Sequence, residues 1–90
     1  MKFMVTWKIP PTFYKEAVAR FLKTGAPLPP GLKNLGRWHT TTASGFLLVE
    51  GTEDAVLEHM AEWADLLELK VAPVLGDAET GAVLSRMFGK

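Results

Sequence analysis

The most constraining feature of this sequence is the order in which strand-like and helix-like hydrophobic patterns follow one another. Residues 2–9 alternate between an apolar and a polar side, which is typical of a strand with one covered face. Residues 12–24 then carry apolar side chains at helical spacing, and Gly25 follows as a residue suited to a left-handed helix stop. The first quarter of the chain therefore predicts a strand followed directly by an amphipathic helix.

A hairpin is predicted next. Lys33–Thr40 and Gly45–Gly51 both show strand-like composition, and Thr41–Ser44 between them is small and polar. A loop of this kind suits a tight four-residue turn. These segments therefore predict two antiparallel strands joined by a short turn.

The remaining chain repeats the helix-then-strand order. Residues 53–67 carry an apolar stripe at helical spacing, and Leu69–Leu75 reads as a fourth strand. Pro73 lies inside that strand, and proline is tolerated mainly at a sheet edge because it has no N–H to donate. A short last helix is predicted over about residues 77–88.

The predicted order is β-α-β-β-α-β. We therefore expect an α+β domain of the ferredoxin-like type, with both main helices on one face of a four-stranded antiparallel sheet. A chain of 90 residues is the length of one domain, and we assign residues 1–90 to it.

Composition excludes several classes of protein. Ten Lys and Arg balance ten Asp and Glu, which argues against a nucleic-acid partner. The absence of Cys excludes disulfides and thiolate chemistry. No apolar run approaches the length of a membrane span, so we expect no membrane partner and a cytoplasmic location. No cofactor-binding or metal-binding motif is complete, so we expect neither a cofactor nor a metal.

The predicted hairpin register decides which residues share a face. If the turn spans residues 41–44, Trp38 pairs with Leu47, and Arg37 and His39 point to the opposite face. That opposite face also carries Glu50, Phe46, Leu48 and Met4. Two helices cover only one face of a sheet, so this second apolar surface needs another cover. A second copy of the chain is the simplest one, and we expect a homodimer formed through Phe46, Leu48 and Met4.

Several short motifs resemble a known family. They are Gly36-Arg37-Trp38-His39, Gly45-Phe46, Glu50, Glu62-Trp63-Ala64-Asp65 and Pro73-Val74-Leu75. From residue 2 to about residue 84 the chain resembles a bacterial family of domains of unknown function, which is similar to the dimeric α/β-barrel superfamily. The resemblance implies a ferredoxin-like fold and a dimer. Members of that superfamily include cofactor-free and haem-dependent oxygenases, isomerase-like enzymes and ligand-sensing modules, so it implies no single activity.

Arg37, His39 and Glu50 form the strongest candidate site in the sequence. A permanent cation, a group that titrates near neutral pH and a carboxylate within one hairpin can bind an anionic ligand and move a proton. The alternative is that the three side chains pair with one another, or across the dimer, as structural polar groups.

Other candidates are weaker. His59 and Glu62 lie three residues apart on a helix but lack a further ligand, which favours a border histidine over a metal site. Trp7, Trp38 and Trp63 favour core positions over an aromatic ligand pocket.

Two functional hypotheses follow. In the first, the protein is a homodimer that binds a small organic molecule. If it is an enzyme, it is of the cofactor-free oxygenase or isomerase type. In the second, it is a non-catalytic sensing or protein-interaction module whose dimer face is purely structural. A polar cavity beside the candidate side chains would favour the first.

Overall fold

A computed structural model describes residues 1–89, and within them the chain forms four strands and three α-helices. The elements are β1 (Lys2–Lys8), α1 (Tyr14–Thr24), β2 (Leu32–His39), β3 (Ser44–Gly51), α2 (Glu53–Trp63), β4 (Glu68–Val74) and α3 (Asp77–Phe88). A single 3-10 turn, Pro11–Phe13, leads into α1. Residue 90 of the predicted domain lies outside the described residues.

The four strands form one antiparallel sheet in the order β2-β3-β1-β4. This order is compatible with a ferredoxin-like fold, so the predicted α+β class and element order are confirmed. β4 lies at a sheet edge, as Pro73 indicated. The second helix ends at Trp63 rather than Leu67, and the turn after it brings Leu66 into the core.

One face of the sheet carries the core. Alternate residues in the middle of β1 and β3 are buried on this face, and Val56 of α2 packs onto them. The members of this cluster are Phe3, Val5, Leu47, Val49 and Val56. We call this the helix face, because α1 and α2 both cover it.

Local signals fix the ends of the helices. Gly25 follows α1 with φ 71°, the left-handed conformation that glycine adopts without strain, and its N–H donates to the Phe21 carbonyl at 2.7 Å. Thr52 precedes α2, and its hydroxyl oxygen accepts a hydrogen bond from the Ala55 N–H at 3.2 Å. These two signals set the C-terminal end of α1 and the N-terminal end of α2.

An ion pair joins α1 to the turn that follows α2. Arg20 of α1 donates from both terminal nitrogens to the two carboxylate oxygens of Asp65, at 2.9 and 2.7 Å. Its guanidinium also lies 5.2 Å from the ring centroid of Trp63. The hydrogen bond from Arg20 lowers the pKa of Asp65 below its ordinary value. This contact fixes α1 against the end of α2.

The predicted hairpin register is wrong by one residue. His39 pairs with Gly45 and Arg37 pairs with Leu47, because the loop spans only Thr41–Ala43. Ala43 takes a left-handed conformation, with φ 61°, which shortens the turn. A non-glycine residue seldom adopts this conformation, so the sequence favoured the longer loop.

A slip of one residue reverses the face to which each side chain of a strand points. Arg37 and His39 therefore lie on the helix face, and Trp38 lies on the opposite one. Glu50 stays on the opposite face, as predicted, and is thereby separated from Arg37 and His39 by the sheet. The predicted set of three polar residues does not come together.

The sheet face away from α1 and α2, here the open face, has an apolar centre and a charged margin. The register places these apolar residues at its centre: Met4, Trp38, Phe46, Leu48 and Ala72. The charged residues of the margin are Lys2, Lys8, Lys33, Glu50, Glu68 and Lys70. Trp38 is 52% exposed and Phe46 43% exposed, so the core position predicted for Trp38 is wrong.

Candidate functional site

A cavity of about 430 Å³ lies between the helix face of the sheet and helices α1 and α2. Its walls are mainly apolar and aromatic, and its polar groups come mostly from β2, the β2–β3 loop and α2. The large side chains in its lining are Trp7, Tyr14, Phe21, Met60 and Trp63. Arg37, His39 and His59 supply its basic side chains. Ligand pockets in proteins share this volume range and this mixture of apolar walls with few polar groups.

An aromatic cluster forms one wall. The His39 ring lies 5.4 Å from Trp7 in an edge-on arrangement and 5.2 Å from Phe21, measured between ring centroids. Gly45 lies between His39 and Trp7 in the sheet, and the Trp7 indole occupies the space that a Cβ at Gly45 would need. The glycine therefore permits the indole to lie flat on the sheet and reach His39.

Arg37 carries the permanent charge of the cavity. Its terminal nitrogens donate to the carbonyls of Ala26 at 2.8 Å and Gly25 at 3.1 Å, and its guanidinium lies 5.5 Å from the Phe21 ring centroid. Those carbonyls follow the C-terminal end of α1, where a helix favours a cation. Within residues 1–89, no carboxylate lies within 4.0 Å of Arg37. Among residues 1–89, the Arg37 guanidinium therefore donates to neutral carbonyl groups and not to a carboxylate. Its remaining N–H donors are available to a ligand.

His59 is the buried polar residue of the cavity wall. Its side chain on α2 is only 5% exposed, and its Nδ1 has no hydrogen-bond partner among the described residues. Burial lowers the pKa of His59 below its ordinary value; Arg37 lowers it further, while Glu62 opposes the shift. The ring is therefore neutral at pH 7. An unpaired nitrogen at such a site costs about 1–3 kcal/mol unless another molecule satisfies it.

The structure revises the predicted set of site residues. Arg37 and His39 do line one cavity, but Glu50 lies on the other side of the sheet. His59 joins them, although the sequence favoured a residue at the border of its helix. Its position could have been found from the spacing, since residues 56, 59, 60 and 63 lie along one helical face. No group of three His, Cys, Asp or Glu within residues 1–89 is placed to hold a metal ion.

The buried His59 predicts a pH dependence of stability. The unfolded chain binds the imidazole proton at pH values where the folded protein does not, so protonation favours unfolding. We expect the free energy of unfolding to fall as the pH drops below about 6.5, by at most about 1.4 kcal/mol per pH unit. Urea denaturation between pH 5 and 8 measures this, above the range in which Asp65 titrates.

His59→Phe should remove most of that slope. His39→Phe, at the exposed histidine, is the matched control. If the slope survives in His59→Phe and disappears in His39→Phe, the account of the buried histidine is wrong.

The fold and the cavity together define a class of protein: a small α+β domain whose antiparallel sheet and two covering helices flank a ligand-sized apolar cavity. The chain belongs to the family described as domain of unknown function (DUF3303), which matches residues 1–88. No curated protein and no solved structure matches the chain. Within the part of the chain that the structure describes, no helix is both long and apolar enough to cross a membrane.

Proposed function

We propose that the protein binds a small organic molecule in the cavity, and that this molecule combines an apolar ring with an anionic or strongly polar group. The observation that carries the proposal is Arg37, a cation without a carboxylate partner among residues 1–89, together with the buried His59. Both side chains line the same apolar cavity. A carboxylate, phenolate or carbonyl oxygen of the ligand would pair with Arg37, and the aromatic wall would contact its ring.

A purely structural role for Arg37 explains only part of this arrangement. The bonds from Arg37 to Gly25 and Ala26 attach β2 to the end of α1, which stabilises the fold without any ligand. That role leaves the His59 nitrogen unpaired and gives no reason for a cavity of about 430 Å³ lined with aromatic rings. Ligand binding accounts for the cavity and for the remaining N–H donors of Arg37.

The same residues suit a reaction that begins with removal of a proton from the ligand. The neutral His59 would take the proton onto its ring, and Arg37 would stabilise the negative charge left on a ligand oxygen. An isomerase-type or cofactor-free oxygenase-type reaction can begin in this way. Ligand binding is the function we propose. In an enzyme built on this site, the proton transfer would be the first step of the reaction.

Removing the cation should weaken binding of an anionic ligand. A panel of small aromatic acids, phenols and quinones is screened by thermal shift, and the best compound is then measured by calorimetry. We expect Arg37→Ala to raise its Kd by roughly ten- to a hundredfold, which corresponds to a lost charge-assisted hydrogen bond of about 1.5–3 kcal/mol. His39→Ala, which removes part of the aromatic wall, should weaken binding less.

Two further variants make this test specific. Arg37→Gln removes the charge but keeps hydrogen-bond donors for Gly25 and Ala26, so it separates lost binding from lost stability. Lys33→Ala removes a cation from the same strand outside the cavity lining and should leave the Kd unchanged. The proposal fails if no compound shifts the wild type, or if Arg37→Ala and Lys33→Ala bind equally well.

We also propose that the open face forms a homodimer of the dimeric α/β-barrel type. Its apolar centre with a charged margin has the composition of a protein interface, and two copies related by a twofold axis would cover each other's Trp38, Phe46 and Leu48. The cavity lies on the other side of the sheet. A structural dimer face and a ligand site are therefore compatible in one protein, whether it acts as an enzyme or as a sensor.

Leu48→Lys should dissociate this dimer. It would place a charge at the centre of a sheet-to-sheet contact without a partner, and we expect the dimer Kd to rise by at least about a hundredfold. Sedimentation equilibrium measures the change, and Lys15→Ala, at an exposed position of α1 away from the open face, is the control. A wild type that stays monomeric at high micromolar concentration would contradict the proposal.

A further inference from the structure

Helix α3 has the least packing of any helix in the fold. None of its residues is buried, whereas α1 and α2 each bury at least one. Its large apolar side chains are between 39% and 78% exposed: Val83, Leu84, Met87 and Phe88. The molecule measures 54 Å in its longest dimension against 28 and 18 Å in the others. A sheet of strands of seven to eight residues spans only about 25 Å, which indicates that α3 extends beyond it.

The sequence of α3 is that of a helix with one covered side. Val83, Leu84, Met87 and Phe88 form two adjacent pairs four residues apart and share one side, while Ala82 lies opposite and the charged Glu79 and Arg86 lie between. Such a helix is only marginally stable without a packing partner. It has 12 residues, near the length at which isolated helices are marginal in water, and Gly81 in its interior weakens it by about 1 kcal/mol. The described residues therefore leave the apolar side of α3 largely uncovered.

Area and charge identify a second copy of the chain as the partner. The open face, four strands wide and seven to eight residues long, covers only about 19 by 25 Å. A stable complex buries about 800 Å² per partner, which this face supplies only in part, so an added helix on each copy would enlarge the contact. The margin of the open face has four Lys against two Glu, and α3 has Asp77 and Glu79 against Arg86. A positive margin and a net negative helix suit each other.

We infer that α3 is a dimerisation arm, whose apolar side packs against the second copy beside the margin of its open face. This inference rests on the proposed dimer and adds a second contact to it. Under twofold symmetry, the α3 of each copy would pack against the other copy, so each dimer would bury two copies of α3.

The test uses full-length variants in sedimentation equilibrium. Leu84→Glu combined with Met87→Glu places two charges on the apolar side of α3, and we expect a rise of roughly a hundredfold in the dimer Kd. Ala82→Glu places a charge on the opposite, exposed side and should change the Kd less than about threefold. Hydrogen exchange supplies a second measurement: the amides of α3 should be protected in the wild-type dimer and unprotected in a monomeric Leu48→Lys variant.

The outcomes separate this inference from the proposed dimer. If Leu48→Lys dissociates the protein but the double α3 variant dimerises like the wild type, the dimer stands and the arm is refuted. If the α3 amides stay protected in the Leu48→Lys monomer, α3 packs on its own chain and the inference fails. If the wild type is a monomer, both proposals fail.

Discussion

Leu47→Asp should prevent the domain from folding. Leu47 is 2% exposed at the centre of the helix face, opposite Val5 of β1 and Arg37 of β2. The change removes about 1.5–3 kcal/mol of apolar burial and adds the desolvation of a carboxylate, for a total of at least about 5 kcal/mol. A domain of this size is stable by roughly 5–13 kcal/mol, so circular dichroism should show a largely unfolded or strongly destabilised chain.

The next residue is the matched control. Leu48→Asp carries the same change on the open face, and we expect a folded monomer with native circular dichroism and a melting temperature near that of the monomeric Leu48→Lys variant. If the two substitutions destabilise the chain equally, then the strand does not have one covered and one open face, and the positions assigned to Arg37 and Trp38 are wrong.

Gly45→Ala should destabilise the protein by about 3 kcal/mol. A Cβ at this position would overlap the Trp7 indole and the backbone oxygen of Trp38. The indole cannot turn away without leaving His39 and the cavity wall, and the carbonyl belongs to the neighbouring strand. Urea denaturation measures the loss, and the same variant should bind the cavity ligand more weakly because Trp7 is displaced.

Gly36→Ala is the control for that prediction. A Cβ at Gly36 would meet only the outer atoms of the Trp38 ring, which lies on the open face and can move. In the monomeric Leu48→Lys background, where no second copy covers Trp38, we expect a change of less than about 1 kcal/mol, since alanine is also the better strand residue. Equal losses for Gly45→Ala and Gly36→Ala would contradict the described register.

Much of this fold can be predicted from the sequence, because local patterns determine it. The alternation in residues 2–9 is visible without a structure. Gly25 points to a left-handed helix end, and Pro73 points to a strand at the edge of the sheet. The element order then follows from the succession of hydrophobic periods. None of these signals depends on distant residues.

The face of β2 could not be predicted in this way. Alternation shows which residues share a face, but the covered face depends on the turn length, and that length depends on the left-handed Ala43. A cation beneath the covering helices also needs hydrogen-bond partners, and the pattern of β2 shows none for Arg37. The carbonyls of Gly25 and Ala26 supply those partners, and only the tertiary fold brings them there.

The candidate site was therefore predicted in part. Arg37 and His39 stand out by residue type, and they do line one cavity. The wrong register groups Glu50 with them, and the lack of a further metal ligand beside His59 and Glu62 favours a border histidine. Its unpaired nitrogen, which changes that judgement, is visible only in three dimensions.

The most direct test of the proposed function uses the three tryptophans as internal reporters. Trp7 and Trp63 line the cavity, whereas Trp38 lies on the open face. Each indole N–H gives its own signal in a proton–nitrogen NMR spectrum, so the best compound from the thermal-shift panel can be titrated into labelled protein. We predict that the Trp7 and Trp63 signals shift together in a saturable manner while that of Trp38 stays in place. A shift of Trp38 alone, or no saturable shift with any compound of the panel, would contradict ligand binding in the cavity.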